Sequence, residues 1–138
     1  MDIQAQLDAL NAQAPQFIKL MGGRIIDVNP EKGVCTFEFN IGTEFCHSVD
    51  VVQGGFTTAM LDAAMSHALF SSESDVVNVS SLEIKTSYLA TTRAGKLKAV
   101  GEIIKLTYKT AFLEASLFNE AGELTAKASS VAKVVRAK

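Results

Sequence analysis

The sequence predicts an α+β fold, a strongly curved antiparallel sheet wrapped around one long central helix. Three observations carry that expectation. Residues Gly54 to Phe70 read GGFTTAMLDAAMSHALF, with apolar residues on nearly every face and one formal charge, Asp62. A helix that is apolar all round is buried on all sides. Four strand-like runs then follow, joined by short turns. No alternation of strand and helix appears, which argues against a doubly wound parallel sheet.

Each element can be justified in order. Asp2 to Gln13 places Ile3, Leu7 and Leu10 at helical spacing with polar residues between them, a short amphipathic helix. Pro15 opens a second short piece carrying Phe17, Ile18 and Met21, and Gly22-Gly23 closes it. Arg24 to Val28 is strand-like, and Asn29-Pro30-Glu31-Lys32-Gly33 is a turn. Cys35, Phe37 and Phe39 then alternate with Thr36, Glu38 and Asn40, a half-buried strand. The central helix comes next, and Ser71 to Asp75 reads as a polar loop after it. In Val76 to Leu89, simple alternation sets Ser81, Glu83, Lys85 and Ser87 against Leu82, Ile84, Thr86 and Tyr88. Gly95 to Lys105, Thr110 to Phe118 and Leu124 to Val135 complete the strands, with Asn119 to Glu123 as a hairpin turn. A small domain of this shape leaves an open sheet edge that a second copy can pair with.

Composition bounds the function. A chain of 138 residues is expected to form one domain, 1–138, with 1–22 as an N-terminal helical segment. Thirteen Lys and Arg against fifteen Asp and Glu give a formal charge of −2, with no basic surplus for nucleic acid. The longest charge-free run, Val51 to Leu61, is far short of the ~20 residues a membrane helix needs, so no membrane partner is expected. The first residues carry no basic and apolar signal, and the two cysteines, Cys35 and Cys46, make no disulfide scaffold. A cytoplasmic protein is the expectation.

Few residues can carry chemistry. Asp62 has no cation among its helical neighbours Thr58, Met65, Ser66 and Leu69. A carboxylate on so apolar a helix is costly unless solvated or paired. One reading is an Asp that faces water at a subunit boundary or bonds Ser66. The favoured reading is a general base or nucleophile at the edge of an apolar pocket. Gln53-Gly54-Gly55 opens the helix, where unpaired N–H groups and the helix dipole favour a developing oxyanion. A tight turn that needs glycine for steric reasons is the plainer alternative. Asp62 lies eight residues beyond Gly54, or ~12 Å along the axis. Both can act on one carbonyl only if they come from two subunits, which predicts an obligate dimer.

The remaining candidates rank lower. His67 is five residues from Asp62, about 140° around the helix, so packing or an interface suits it better than an Asp–His dyad. His47 lies before the glycines and can line a pocket. Cys46 lacks a positioned base, and Cys35 alternates with core phenylalanines. Ser80 or Ser81 can orient a water, and neither sits in a Gly-x-Ser-x-Gly elbow. No zinc spacing is present, so no metal is expected. Lys85, Arg93, Lys96, Lys98, Lys105 and Lys109 read mainly as a solvated strand face, with some able to hold a nucleotide phosphate.

From about Gly23 to Val135 the chain resembles hotdog-fold proteins, specifically the phenylacetate-degradation (PaaI-like) acyl-CoA thioesterases. The resemblance rests on Val52-Gln53-Gly54-Gly55-Phe56, on Met60-Leu61-Asp62-Ala63-Ala64, and on the strand Val79 to Leu89. Ala94-Gly95-Lys96-Leu97 and the turn Asn119 to Leu124 also fit. The family pattern is His-Gly-Gly followed by an acidic residue on the central helix. The resemblance implies catalytic roles for Gly54, Asp62 and Ser81. The Gly54 N–H would polarise a thioester carbonyl, Asp62 of the partner subunit would activate water or attack, and Ser81, or less directly Ser80, would orient that water. Gln53, Gly55, His47 and Ser80 would bind substrate. It implies a homodimer, with dimers pairing into a tetramer, and no cofactor, coenzyme A being part of the substrate. Two positions depart from the pattern. Gln53 stands where the family usually has His, and His47 where it often has Asn. An acyl-CoA or acyl-carrier binding module without catalysis is the alternative, and a hotdog dehydratase or hydratase is a further one.

Overall fold

The structure, a computed structural model, describes residues 2–138. Two N-terminal helices, α1 (Ile3–Ala12) and α2 (Gln16–Leu20), precede strands β1 (Gly23–Asn29) and β2 (Val34–Ile41). Two very short strands, β3 (Cys46–Ser48) and β4 (Val51–Val52), make a small separate ribbon. The central helix α3 (Gly54–Ser72) follows, then β5 (Val76–Tyr88), β6 (Gly95–Leu106), β7 (Thr110–Asn119) and β8 (Leu124–Arg136). The expected loop at Ser71 starts two residues later because the Ser71 and Ser72 hydroxyls both donate to the Ala68 carbonyl, at 3.2 and 2.6 Å. That back-bonding continues the helix through residues that otherwise favour turns.

Six strands form one antiparallel sheet in the order β1-β2-β6-β7-β8-β5. This architecture, a six-stranded antiparallel sheet with one central helix, is the hotdog fold. The sheet face towards α3 is built from small residues at its centre. Ala99 and Gly101 on β6, Ala111 and Ala115 on β7, and Ala126, Ala128 and Ala132 on β8 are all buried. A Cβ on Gly101 would run into the Ala64 carbonyl of α3, so helix and strand backbones meet there. Larger side chains fill the flanks, with Met60, Leu61, Met65 and Leu69 from the helix and Phe37, Phe39 and Ile41 from β2. This close seat explains why α3 is apolar on most sides.

The two sheet edges differ. At β1, Asn11 of α1 bonds the Ile25 main chain twice, at 2.7 and 2.9 Å, and buried Ile18 of α2 packs into the core. At β5 no element of the described residues covers the edge, and Val77, Leu82 and Tyr88 are 60, 66 and 57% exposed. No helix among the described residues is long and apolar enough to cross a membrane.

Candidate active site

The first turn of α3 is held by its own neighbours. Gln53 caps the helix, its Oε1 accepting from the Gly55 N–H at 2.7 Å. The Gln53 carbonyl accepts from Phe56 and Thr57. The Gly54 N–H donates to no atom among the described residues. It is thus the open donor at the positive end of the helix dipole. Gln53 and Gly55, expected to contact substrate, are placed against each other. Gln53, Gly54 and Gly55 share with His47 and Tyr88 the wall of a cleft of about 640 Å³.

Asp62 sits two turns further on, half-buried, on the side of α3 that looks towards β5. Ser81 donates to its Oδ1 at 2.8 Å. Ser66 bonds the Asp62 main-chain carbonyl at 3.0 Å, so its hydroxyl is not spent on the carboxylate. Asp62 does not line the cleft that Gly54 lines, so one copy does not bring the two to one point. Ser80 is exposed, on the outer face of the strand opposite Lys133, and it is Ser81 rather than Ser80 that hydrogen-bonds Asp62.

Simple alternation fails along β5. Ser81 pairs with Ala132 and Glu83 with Val131, leaving Leu82 as an extra residue, a β-bulge. The bulge shifts the phase, so Ser81 before it and Thr86 and Tyr88 after it all reach α3. Simple alternation puts Ser81 on the opposite face from Thr86 and Tyr88; the bulge puts all three on the same one. It also missed three polar partners. Thr86 and Thr58 share a hydrogen bond at 2.8 Å, Thr58 and Tyr88 one at 3.1 Å, and Tyr88 donates to the Gly54 carbonyl at 2.8 Å. Helical spacing of Thr58 and Asp62 was the only signal for them.

The other candidates are placed elsewhere. His67 is buried between the Phe37 and Phe70 rings, with Nδ1 at 2.9 Å from the Ala63 carbonyl. Burial pushes its pKa below the usual histidine value, against a smaller upward pull from that carbonyl and from Asp62. Burial, with Asp27 nearby, pushes the Cys35 thiol up to about 12, which leaves it inert. Cys46 is half-buried against the core, with its thiol 3.9 Å from the Gly42 carbonyl. Arg93 is paired with Asp50 at 2.7 Å.

Residues 50–126 match the profile of the thioesterase superfamily, a stretch that holds Gly54, Asp62, Ser81 and Tyr88. The chain belongs to that superfamily. Several solved structures share the fold. A phenylacetic acid degradation-related protein from Ralstonia eutropha JMP134 superimposes with a TM-score of 0.85 at 24% identity, over 96% of this chain and all of that one. The PaaI protein of the E. coli phenylacetic acid degradation operon gives 0.82 at 15% identity, over 95% and 92% of the two chains. A thioesterase from Haemophilus influenzae gives 0.83 at 19% identity, over 94% and 90%. No curated protein matches the sequence. In this thioesterase-superfamily chain, Gly54 and Asp62 are the two features of α3 that packing alone does not explain.

Proposed function

We propose that the chain is an acyl-CoA thioesterase that works as a homodimer. One observation carries the reading. Asp62, the sole charged side chain on α3, is held by Ser81 and faces the open sheet edge rather than a cation. A carboxylate kept partly desolvated without a counter-charge suits a general base. The bare β5 edge supports the second half of the reading. Thirteen residues of strand with exposed apolar side chains invite pairing with another β5. Such pairing would carry Asp62 of the partner subunit towards the Gly54 end of this one.

The chemistry follows from these groups. A thioester carbonyl accepts from the Gly54 N–H. Water, placed by the carboxylate that Ser81 orients, loses a proton to Asp62 and adds to the carbonyl carbon. The tetrahedral oxyanion is held at the helix start, where the donor is fixed before reaction. Collapse re-forms the carbonyl and breaks the carbon–sulfur bond. Asp62 returns its proton to the leaving thiolate, giving free acid and free thiol. Direct attack by Asp62, through an acyl-enzyme anhydride that water then cleaves, balances equally.

The test is free-thiol release from a panel of acyl-CoAs. Asp62→Ala should abolish it. Gly54→Pro removes the N–H at the first helical position, where proline is tolerated, and Gln53 already has the extended ψ of 138° that precedes proline comfortably. Its Cβ would press on the exposed Tyr88 hydroxyl at 3.0 Å. Loss on the order of 10²-fold is expected. Mixing the two inactive variants should restore about a quarter of wild-type rate, because half of re-formed dimers are mixed and each holds one intact site. Binding without thiol release would favour the non-catalytic module. Turnover of an enoyl thioester with the thioester intact would favour a hydratase using His47.

A further inference from the structure

Tyr88 has no part in the steps above, yet its hydroxyl is tied down on an exposed side chain. It donates to the Gly54 carbonyl at 2.8 Å and is braced by Thr58 at 3.1 Å, which is itself braced by Thr86 at 2.8 Å. The peptide unit whose oxygen it holds is the one between Gly54 and Gly55. The N–H of that same unit is held by Gln53 Oε1 at 2.7 Å. Side chains from β5 and from the cap residue therefore grip one peptide at both ends.

That grip matters because two adjacent glycines are the most pliable backbone a chain can have. The Gly54 N–H belongs to the preceding peptide, which meets the clamped one at the Gly54 Cα. The Gly54 φ and ψ set the angle between the two, so holding one peptide limits the directions the other can take. The arrangement is mutual, since a Cβ at residue 54 would meet the Tyr88 hydroxyl at 3.0 Å. Any side chain at 54 would crowd the hydroxyl where it reaches the carbonyl. We propose that Tyr88, braced by Thr58 and opposed by Gln53, is a positioning residue that aims the Gly54 N–H at the reacting carbonyl. This rests on the thioesterase reading, for which an oxyanion donor must be fixed before the transition state forms. Gln53 then acts through the backbone, as the second jaw of the clamp.

The experiment pairs kinetics with a readout that needs no substrate. Tyr88→Phe keeps the ring and removes the hydroxyl. Free-thiol release should show kcat lower on the order of ten-fold, with KM little changed. Tyr88→Phe combined with Gln53→Ala should lose more than either alone. In ¹⁵N–¹H spectra the Gly54 amide should move and the Gly55 amide should exchange faster with solvent in both single variants. Unchanged kcat with an unmoved Gly54 amide overturns the proposal, as does an effect confined to KM, which would make Tyr88 a substrate contact. If the wild type releases thiol from no thioester, the hydrolase reading fails by itself. The Gly54 amide then decides the clamp, a shift supporting it and no shift refuting it.

Discussion

The two edges of the sheet are finished in opposite ways. β1 is closed from within, with α1 bonded to its main chain through Asn11 and α2 sending Ile18 into the core. β5 is longer, 13 residues against 7, and carries exposed Val77, Leu82 and Tyr88 with nothing from the described residues over it. An edge left this long and apolar is a hazard unless something pairs with it. The difference teaches where the chemistry belongs. Asp62, Ser81, Thr58 and Tyr88 all lie along the open side, and none lies along the closed one. The chain seals the edge that only has to be stable and exposes the edge where a second copy would complete a site.

The comparison can be broken most sharply at β5. Val77→Lys with Leu82→Lys puts charge on two exposed positions of the open edge, where like charges oppose pairing. Sedimentation should find a folded monomer, and thiol release should fall on the order of 10²-fold or more. A dimer that survives both changes would mean another surface does the pairing. At the closed edge the outcome should be the reverse. Asn11→Ala leaves the Ile25 N–H and carbonyl without their partners and should lower stability by about 1–3 kcal/mol in denaturant unfolding, with assembly and thiol release intact.

The smallest effect concerns pH on the closed side, where His67 packs against Phe37 of β2. Its folded pKa lies below the unfolded value of 6.5. The unfolded chain therefore binds a proton that the folded chain refuses. Stability from this group is full above 6.5, falls as pH drops below it, and levels off beneath the folded pKa. Urea midpoints across that range should show the slope in the wild type and lose it in His67→Gln.

Much of this was legible in the sequence. The central helix announced itself by being apolar on nearly every face, and Asp62 stood out against it for the same reason. Gly54 was found because glycine at a helix start frees an N–H, and Ser81 because the family resemblance pointed to a hydroxyl there. The order of strands was not legible. Which strand becomes an edge depends on which small residues pack under α3, and Gly101 reveals that only when its missing Cβ is seen against Ala64. Tyr88 was hidden because strict alternation turned it away from Ser81. The family resemblance implies Gln53 as a substrate contact; its second role, capping its own helix through the Gly55 N–H, leaves no trace in a pattern of spacing.

The bulge at Leu82 works as a frame shift in three dimensions. Just upstream of it, Val79 and Ser81 look inward; downstream, Ile84, Thr86 and Tyr88 do. A hotdog chain lacking that extra residue would need its hydroxyl at an even count from the tyrosine to meet the same carboxylate. Counting without gaps along this strand therefore selects a residue on the wrong wall. Deleting Leu82 would leave Ser81 and Glu83 on consecutive partners, Ala132 and Val131, so the ladder would run unbroken and both halves of the strand would keep their faces.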